Sequence, residues 1–274
     1  MNTTELMQIA LDLVGFDFIP DDSAIHLAGE GIQRVLFGLD IDAAELLMAH
    51  QLGYDAVIAH HPVGLSHRVW RVFERHVDLM VAAGVPEAAA RAAVAPKLEA
   101  LRLGGQARNY ERVPMAARQL GLPFLNIHCP LDELGRRVMQ GTVDDLLAVD
   151  PAATLRDVAG ALAALPAAQR AETEVAVCLG DPAAPCGKVV VAHGAYTNGG
   201  TEIARAFYEH GVDTVVYIHI APADVQQLRA DGRGQLVVTG HLVGDAMGIE
   251  PYIRALRVRG LKVDVLSQVL ADPA

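Results

Sequence analysis

The chain has 274 residues, of which 52% are hydrophobic and 20% are charged, and its formal net charge at pH 7 is −11. This composition is typical of an ordered globular protein and excludes a disordered one. The negative charge argues against a nucleic-acid partner, because binding a phosphate backbone requires clustered Lys and Arg. No apolar run reaches the roughly 18 residues of a membrane-spanning helix, so we expect no membrane partner.

The cysteines and the N-terminal residues bear on the compartment. Cys129, Cys178 and Cys186 are odd in number and lack CxxC spacing, so we expect neither a disulfide framework nor a zinc knuckle. The first residues lack the basic region and the apolar stretch of a signal peptide. These features predict a cytoplasmic protein with reduced thiols.

The first half of the chain alternates between helices and strands. Strand–helix–strand order implies parallel strands, because a tight hairpin cannot connect them. The predicted elements are a capped helix at 3–14, a strand at 33–39, a helix at 42–52, a strand at 55–59, a helical stretch at 66–120, a strand at 123–128, and a helix at 131–148 that breaks at Gly141-Thr142.

The second half continues the same alternation. Its predicted elements are a linker with a helix at 149–172, strands at 174–178, 188–192, 213–219 and 235–239, a helix at 201–210, a helix from Gly240 to about Arg259, and a last strand at 261–267. The segment 53–61 (GYDAVIAHH) is echoed by 211–219 (GVDTVVYIH). Either the chain contains two lobes of similar build, or any two β-α-β units look this much alike.

Two adjacent histidines, His60 and His61, end the predicted strand at 55–59. Successive side chains on an extended segment point to opposite sides, so the pair cannot easily chelate one ion. They could serve two neighbouring ions at the carboxyl end of a parallel strand, where ligand sites collect. The alternative is a pair of histidines in a surface turn.

A second motif places His241 and Asp245 four residues apart at the start of the last helix. This spacing puts both side chains on one helix face, as in the His-x-x-x-His arrangement of zinc proteases. A carboxylate in the second position can bridge two cations. Alternatively, Asp245 only complements the helix dipole.

A third motif contains His128 at the end of a strand and Asp132 in the first turn of the following helix. Asp132 could bind a metal ion or complement the helix dipole. His128 could act as an acid/base, orient a ligand by hydrogen bonding, or be structural.

Together the three motifs predict a two-metal centre. Each lies at a strand-to-helix junction, and a mixed set of imidazoles and carboxylates suits two ions about 3.5–4 Å apart. Five protein ligands leave open positions, which is typical of a catalytic site. Such a set accepts Zn²⁺, Mn²⁺ or Fe²⁺. The predicted ligands are His60, His61, Asp132, His241 and Asp245.

The three motifs, at 55–62, 128–132 and 240–245, resemble in their order those of the Nif-three-like family, also called the GTP cyclohydrolase I type 2 or dinuclear-metal-centre family. The resemblance spans nearly the whole chain. It implies an α/β fold with two related lobes and mainly parallel strands, and it assigns the five predicted ligands to the family's ligand positions. It also implies a homo-oligomer, since family members often assemble as toroidal hexamers of dimers, and a cyclohydrolase acting on a purine nucleotide.

Two features depart from the family pattern. Asp245 stands where the family usually has Glu, and its shorter side chain predicts either one weakly bound ion or a closer helix. The helical insert at 66–120 is longer than expected between the first two motifs. It could be a lid over the site, or an oligomerisation or packing element. We assign lobe one to about 1–148, with this insert, and lobe two to about 149–274.

Three further features are weaker signals. Free amides at Asn198, Gly199 and Gly200, between a strand and a helix, could bind a phosphate or carboxylate, although a plain tight turn has the same pattern. His193 and His219 also end strands, and we expect them at most to support ligands from outside. A basic stretch could bind an anion or form a solvated helix face; it contains His67, Arg68, Arg71, Arg75 and His76.

Two functions remain open at this stage. One is a metal-dependent hydrolase that acts on a small molecule, with a nucleotide among the candidates and His128 moving protons. The other is a non-catalytic metal-binding or regulatory protein. A nicotinamide enzyme is disfavoured, because no Gly-x-Gly-x-x-Gly follows any strand.

Overall fold

The computed structural model of the protein describes residues 1–267, 269 and 270. Helices and strands alternate along the chain, as the sequence predicts. The helices are α1 (Thr3–Val14), α2 (Ala43–Gln51), α3 (Trp70–Phe73), α4 (Arg75–Ala82), α5 (Glu87–Gln106), α6 (Arg112–Leu120), α7 (Cys129–Val149), α8 (Leu155–Ala163), α9 (Pro166–Arg170), α10 (Gly200–Glu209), α11 (Pro222–Asp231) and α12 (His241–Val258).

The strands form two sheets with the same internal order. They are β1 (Ala24–Leu27), β2 (Arg34–Gly38), β3 (Ala56–Ala59), β4 (Phe124–Asn126), β5 (Ala176–Leu179), β6 (Val189–Val191), β7 (Thr214–Tyr217), β8 (Gln235–Val238) and β9 (Lys262–Leu266). The five-stranded sheet has the order β1-β4-β3-β2-β9, and the four-stranded sheet has the order β5-β8-β7-β6. The fold is therefore α/β with two mainly parallel sheets.

The two sheets repeat one topology. In each, three consecutive strands run parallel, and the strand that precedes them pairs antiparallel at one edge with an irregularity in its register. The segments 53–61 and 211–219, which echo each other in sequence, contain the equivalent strands β3 and β7. This repeated order is what two related lobes would produce.

The last strand does not follow the predicted boundary between lobes. β9 pairs in parallel with β2 and completes the first sheet, although the sequence assigns this segment to lobe two. Its alternating pattern predicts a strand, but it carries no information about which sheet edge the strand joins. The division at 148/149 otherwise stays a prediction.

Three further differences concern single elements. The break predicted at Gly141-Thr142 is wrong, because α7 runs without interruption to Val149. A Gly inside a helix lowers the stability of the helix by only about 1 kcal/mol relative to Ala, and the packing of α7 against its neighbours offsets this loss. The sequence missed β1, a short edge strand, and α11, which buries only Leu228 and so has no visible apolar period.

Helices α7 and α12 follow the equivalent strands β4 and β8 and pack directly on each other. Their backbones approach so closely that a Cβ at Gly248 would lie 1.8 Å from the carbonyl oxygen of Leu131. A Cβ at Gly135 would lie 2.8 Å from the carbonyl oxygen of Gly244. One apolar cluster joins this helix pair to both sheets, through residues such as Ile58 of β3 and Val216 of β7.

The helical insert packs on both halves of the molecule. Phe73, Val77 and Met80 share an apolar cluster with Ile203 and Phe207 of α10. Ala117 of α6 lies in another cluster with residues of β2, β3 and α2. The insert thus packs within this chain, and its role as a lid over the site or as an oligomerisation element stays a prediction. None of the helices in the described residues combines the length and apolar character needed to cross a bilayer.

Candidate metal centre

The histidines and carboxylates of the three motifs meet where strands of both sheets end. His60 and His61 follow β3, and Asp132 lies in the first turn of α7 after β4. His241 and Asp245 lie at the start of α12 after β8. Because α7 and α12 pack side by side, the first turns of both helices face the same space.

Asp245 is the common point of the cluster. Its Oδ2 atom lies 3.3 Å from His241 Nε2, 3.4 Å from His61 Nε2 and 3.8 Å from His60 Nε2. Ligand atoms of His61, His241 and Asp245 all lie within 4.8 Å of one another, as a metal site requires. The shorter Asp side chain therefore reaches all three imidazoles.

A second group of possible ligands shares Asp245 with the first. It consists of His60, Asp132 and Asp245, all three buried, with ligand atoms within 4.8 Å of one another. Asp132 Oδ1 lies 3.2 Å from His60 Nε2. His60, His61 and His128 form a third group by the same measure. The protein thus contains buried His and Asp groups that could hold a metal ion.

Hydrogen bonds aim two of the imidazoles. Nδ1 of His60 donates to the carbonyl oxygen of Ile127 at 3.1 Å. Nδ1 of His61 donates to Asp40 Oδ1 at 2.7 Å. With the proton on Nδ1, each ring presents the lone pair of Nε2 to the centre, as a metal ligand must.

The cluster contains buried polar atoms without hydrogen-bond partners. A buried polar group left unpaired costs about 1–3 kcal/mol, so several at one point need a missing partner to satisfy them. The close contacts among them lack hydrogen-bond geometry, and a cation fits this set of nitrogen and oxygen donors. In the described part of the chain, these atoms are His60 Nε2, His61 Nε2, Asp132 Oδ1, His193 Nε2 and Asp245 Oδ2.

The electrostatics agree with a site for positive charge. Burial alone would lower the pKa of His60, but the carboxylates of Asp245 and Asp132 outweigh it and raise that pKa to about 10. Burial alone would raise the pKa of Asp132, but the imidazoles of His128, His193 and His60 outweigh it and lower the pKa to about 2. The two buried carboxylates thus favour positive charge beside them.

Comparison with known proteins identifies the family. No protein-family model and no curated protein matches the sequence. Among solved structures, the chain is similar to a NIF3 superfamily protein from Sphaerobacter thermophilus, with 45% identity, a TM-score of 0.95 and 98% of each chain covered. This chain belongs to the NIF3 superfamily.

More distant structures share the NIF3 fold alone. Reduced HcgD from Methanocaldococcus jannaschii is 13% identical over 97% of this chain and 98% of its own, with a TM-score of 0.61. A Bacillus cereus protein related to NIF3 is 12% identical over 100% of this chain and 98% of its own, with a TM-score of 0.53. The 45% identical match thus confirms the family resemblance and the fold class predicted from the motifs.

His128 belongs to the third of these ligand groups in this NIF3 chain and is oriented by a carboxylate. Its Nδ1 donates to Asp22 Oδ2 at 2.8 Å and lies 3.4 Å from Asp132 Oδ2. Ser23 accepts the backbone amide of His128 at 2.9 Å, and both Asp22 and Ser23 are buried. Asp22 was missed from the sequence, because it precedes β1, a strand whose pattern was not recognised.

The loop at 194–201 of the NIF3 chain overhangs the same cleft. Tyr196 has a φ of 73°, a strained value for a residue with a side chain, and its ring centroid lies 5.8 Å from that of His128. The Gly200 amide donates to Asn198 Oδ1, and Asp224 accepts the Thr201 hydroxyl beside the start of α10. Anion binding by Asn198, Gly199 and Gly200 stays a prediction.

Asn198 instead contacts a histidine of the cleft. Its Nδ2 donates to His219, both to Nδ1 at 2.7 Å and to the carbonyl oxygen. The His219 ring lies 4.8 Å from that of His241. His219 occupies in the second lobe the place of His61 in the first, a relation already visible in the sequence echo. A supporting role for His219 stays a prediction.

Proposed function

We propose that this chain is a metal-dependent hydrolase with two divalent ions, Zn²⁺, Mn²⁺ or Fe²⁺, acting on a small molecule. The observation that carries the proposal is that Asp245 belongs to two ligand groups at once, one with His61 and His241 and one with His60 and Asp132. A carboxylate common to two groups is the arrangement that two-ion hydrolytic sites use.

Divalent ions at such a site supply Lewis acidity, which polarises an electrophilic carbon or phosphorus and makes a water more acidic. The protein's own contribution is to hold ligands, aim them and move protons. The outer group contains His241, whose side chain is 47% exposed, and His61, whose side chain is 23% exposed. A substrate would therefore approach from the His241 side.

His128 is the residue that we assign to proton transfer. The Asp22 carboxylate holds the proton on Nδ1 of His128, so Nε2 is free to accept a proton from water or to return one to a leaving group. A ring opening of a purine nucleotide, as the family resemblance implies, is the first reaction to test.

The test combines metal analysis with a substrate panel. Purified protein is loaded with each metal in turn and assayed against purine nucleotides, phosphoesters and cyclic amides. We expect metal-dependent turnover that His61→Ala abolishes, because His61 is part of the group with His241 and Asp245. His50→Ala, at an exposed position on α2, is the matched control and should retain turnover.

A non-catalytic metal-binding or regulatory protein is the second candidate. It is favoured by the depth of the inner group, since His60, Asp132 and Asp245 are each at most 2% exposed. Stoichiometric metal without turnover on the whole panel would support it against the hydrolase. A homo-oligomer, hexameric by family resemblance, stays a prediction that light scattering of the purified protein tests.

A further inference from the structure

Tyr196 is distinguished from its neighbours in the loop at 194–201 by its backbone conformation. Of the described residues other than glycine, it alone has a positive φ, at 73°. This left-handed conformation is unfavourable for a residue with a Cβ, and it persists only where the surrounding contacts enforce it. Because strain of this kind collects at functional sites, both the contacts that hold Tyr196 and those that its ring makes bear on function.

Two adjacent residues of α4 hold the loop on either side of Tyr196. Arg75 Nε donates to the carbonyl oxygen of Gly194 at 2.9 Å, and His76 Nε2 donates to the carbonyl oxygen of Thr197 at 2.8 Å. Helix α7 backs the loop so closely that a Cβ at Gly194 would lie 3.1 Å from its backbone. The loop is therefore fixed at both ends and cannot shift freely to relieve the strain at Tyr196.

The ring of Tyr196 lies beside that of His128, the residue assigned to proton transfer. The two ring centroids are 5.8 Å apart, with their planes inclined at 53°. The rings of His60 and His61 also lie near His128, at 4.7 Å and 6.0 Å, but both belong to ligand groups, and Tyr196 belongs to none found among the described residues. His128 is only 5% exposed, whereas Tyr196 is partly exposed. The phenol ring thus stands between the imidazole and the solvent.

We propose that Tyr196 is a positioning residue that covers the His128 imidazole and keeps bulk water away from it. The inference rests on the proposed function, in which His128 transfers protons. An imidazole covered in this way exchanges protons with reactants bound in the cleft and not with the solvent. The backbone strain arises because the ring is placed there, and Arg75 and His76 of α4 sustain it.

The test measures how fast diethylpyrocarbonate modifies His128 in the protein as purified, read from the masses of its peptides. The variants are Tyr196→Ala and Tyr196→Gly, which remove the ring, and Tyr196→Phe, which keeps it. His50, at an exposed position on α2, is the reference histidine within every sample. Circular dichroism of each variant establishes that it is folded.

We expect Tyr196→Ala and Tyr196→Gly to raise the rate at His128 by about 10-fold relative to His50, because loss of the ring opens the imidazole to solvent. Tyr196→Phe should react as wild type does, since the phenyl ring keeps the cover. His76→Phe and Arg75→Met each remove one bond to the loop, and both should raise the rate to a smaller extent.

A second measurement separates this role from a purely structural one. At an ordinary helical or extended position, Gly lowers stability relative to Ala, but at a positive φ the order is reversed. We therefore expect the Tm of Tyr196→Gly to exceed that of Tyr196→Ala by about 2–4 °C, although His128 is accessible in both variants.

The proposal is overturned if His128 reacts at the wild-type rate in both variants that lack the ring, or if Tyr196→Ala melts above Tyr196→Gly. A raised rate in Tyr196→Phe would also overturn it, and wild-type rates in both α4 variants would overturn the role given to α4. Failure of the hydrolase proposal is a separate result, because neither the modification rate nor the Tm requires turnover.

Discussion

At the scale of single residues, the pairing of His128 with Asp22 has the clearest chemical consequence. The carboxylate accepts a hydrogen bond from Nδ1 of His128, and a ligand atom of the ring lies within 4.8 Å of those of His60 and His61. Replacing a carboxylate by an amide in such a pair keeps the shape but permits the wrong tautomer, with the proton on Nε2. A base that carries its proton on the wrong nitrogen cannot accept one from water.

We therefore predict that Asp22→Asn lowers kcat by about 100-fold, the lower end of the range for general acid–base catalysis. Metal content should stay at the wild-type value, because Asp22 belongs to none of the ligand groups. Steady-state kinetics and elemental analysis measure the two quantities. Asp21→Asn, one residue away at a partly exposed position, is the control, and unchanged kcat in Asp22→Asn would contradict the assigned role of His128.

A buried histidine outside the cleft predicts a pH effect on folding. Burial, only partly opposed by its bond with Asn126, lowers the pKa of His26 from 6.5 to about 4. The unfolded chain therefore binds this proton first as the pH falls. The stability that His26 contributes is complete above about pH 6.5 and is lost as the pH falls towards 4.

We predict that the free energy of unfolding falls less in His26→Gln, which cannot titrate, than in wild type when the pH is lowered from 7 to 5. The difference should be about 1–2 kcal/mol. Urea unfolding at the two pH values, with a chelator present, measures this difference. His50→Gln changes an exposed histidine and should follow wild type. Parallel pH dependence of His26→Gln and wild type would show that His26 keeps its ordinary pKa in the fold.

At the scale of elements, the contact between α7 and α12 sets the distance between the two carboxylates of the site. Asp132 lies in the first turn of α7 and Asp245 in the second turn of α12. A Cβ at Gly248 would meet the backbone of Leu131, which cannot move aside as a flexible side chain would. The glycine is therefore needed for the close approach of the helices.

We predict that Gly248→Ala destabilises the protein by about 1–3 kcal/mol or more, as overpacking does, and weakens metal binding by separating α7 from α12. Gly141→Ala is the matched control, because a Cβ there meets nothing within 4 Å and should stabilise α7 by up to about 1 kcal/mol. Chemical unfolding and metal titration measure both variants. Wild-type metal affinity in Gly248→Ala would show that the helix contact does not position the ligands.

The sequence predicted those helices and strands whose apolar residues follow a regular pattern within the element itself. The helix at 3–14 and the strands that became β2, β3 and β7 were found because each buries a regular pattern of side chains. β1 was missed because an edge strand of four residues shows little alternation. The break in α7 was wrongly predicted because of Gly141. The free-energy cost of one glycine is small beside the packing contacts of the whole helix.

At the scale of the whole molecule, the proposed ions would join the two lobes. His60, His61 and Asp132 come from the part of the chain before residue 148, and His241 and Asp245 come from the part after it. A ligand that binds only the folded state raises stability by about 2.7 kcal/mol at a concentration 100 times its Kd. Each bound ion should therefore stabilise the assembled molecule and not only one lobe.

We predict that saturating Zn²⁺ or Mn²⁺ raises Tm by about 5–10 °C per ion relative to chelator-treated protein. His241→Ala should lose much of this increase while melting like wild type in chelator, because the side chain of His241 is half exposed. Differential scanning calorimetry measures both values. Equal Tm with metal and with chelator would contradict the metal centre itself.

Local patterns in the chain were enough to identify the candidate ligands. The adjacent histidines His60 and His61 and the spacing of His241 and Asp245 stand out locally, because strand ends and the first turns of helices are readable from pattern. The order of helices and strands likewise follows from periodicity, and from it the α/β class and the parallel pairing.

Which of these candidates come together depends on long-range packing. Asp22 reaches His128 across an unrecognised strand, His193 faces Asp132 from the other lobe, and β9 joins the first sheet. None of these contacts has a local signature, because each depends on how the two sheets are placed around the pair α7 and α12. Packing of elements far apart in sequence, and not any single motif, sets the positions of these side chains.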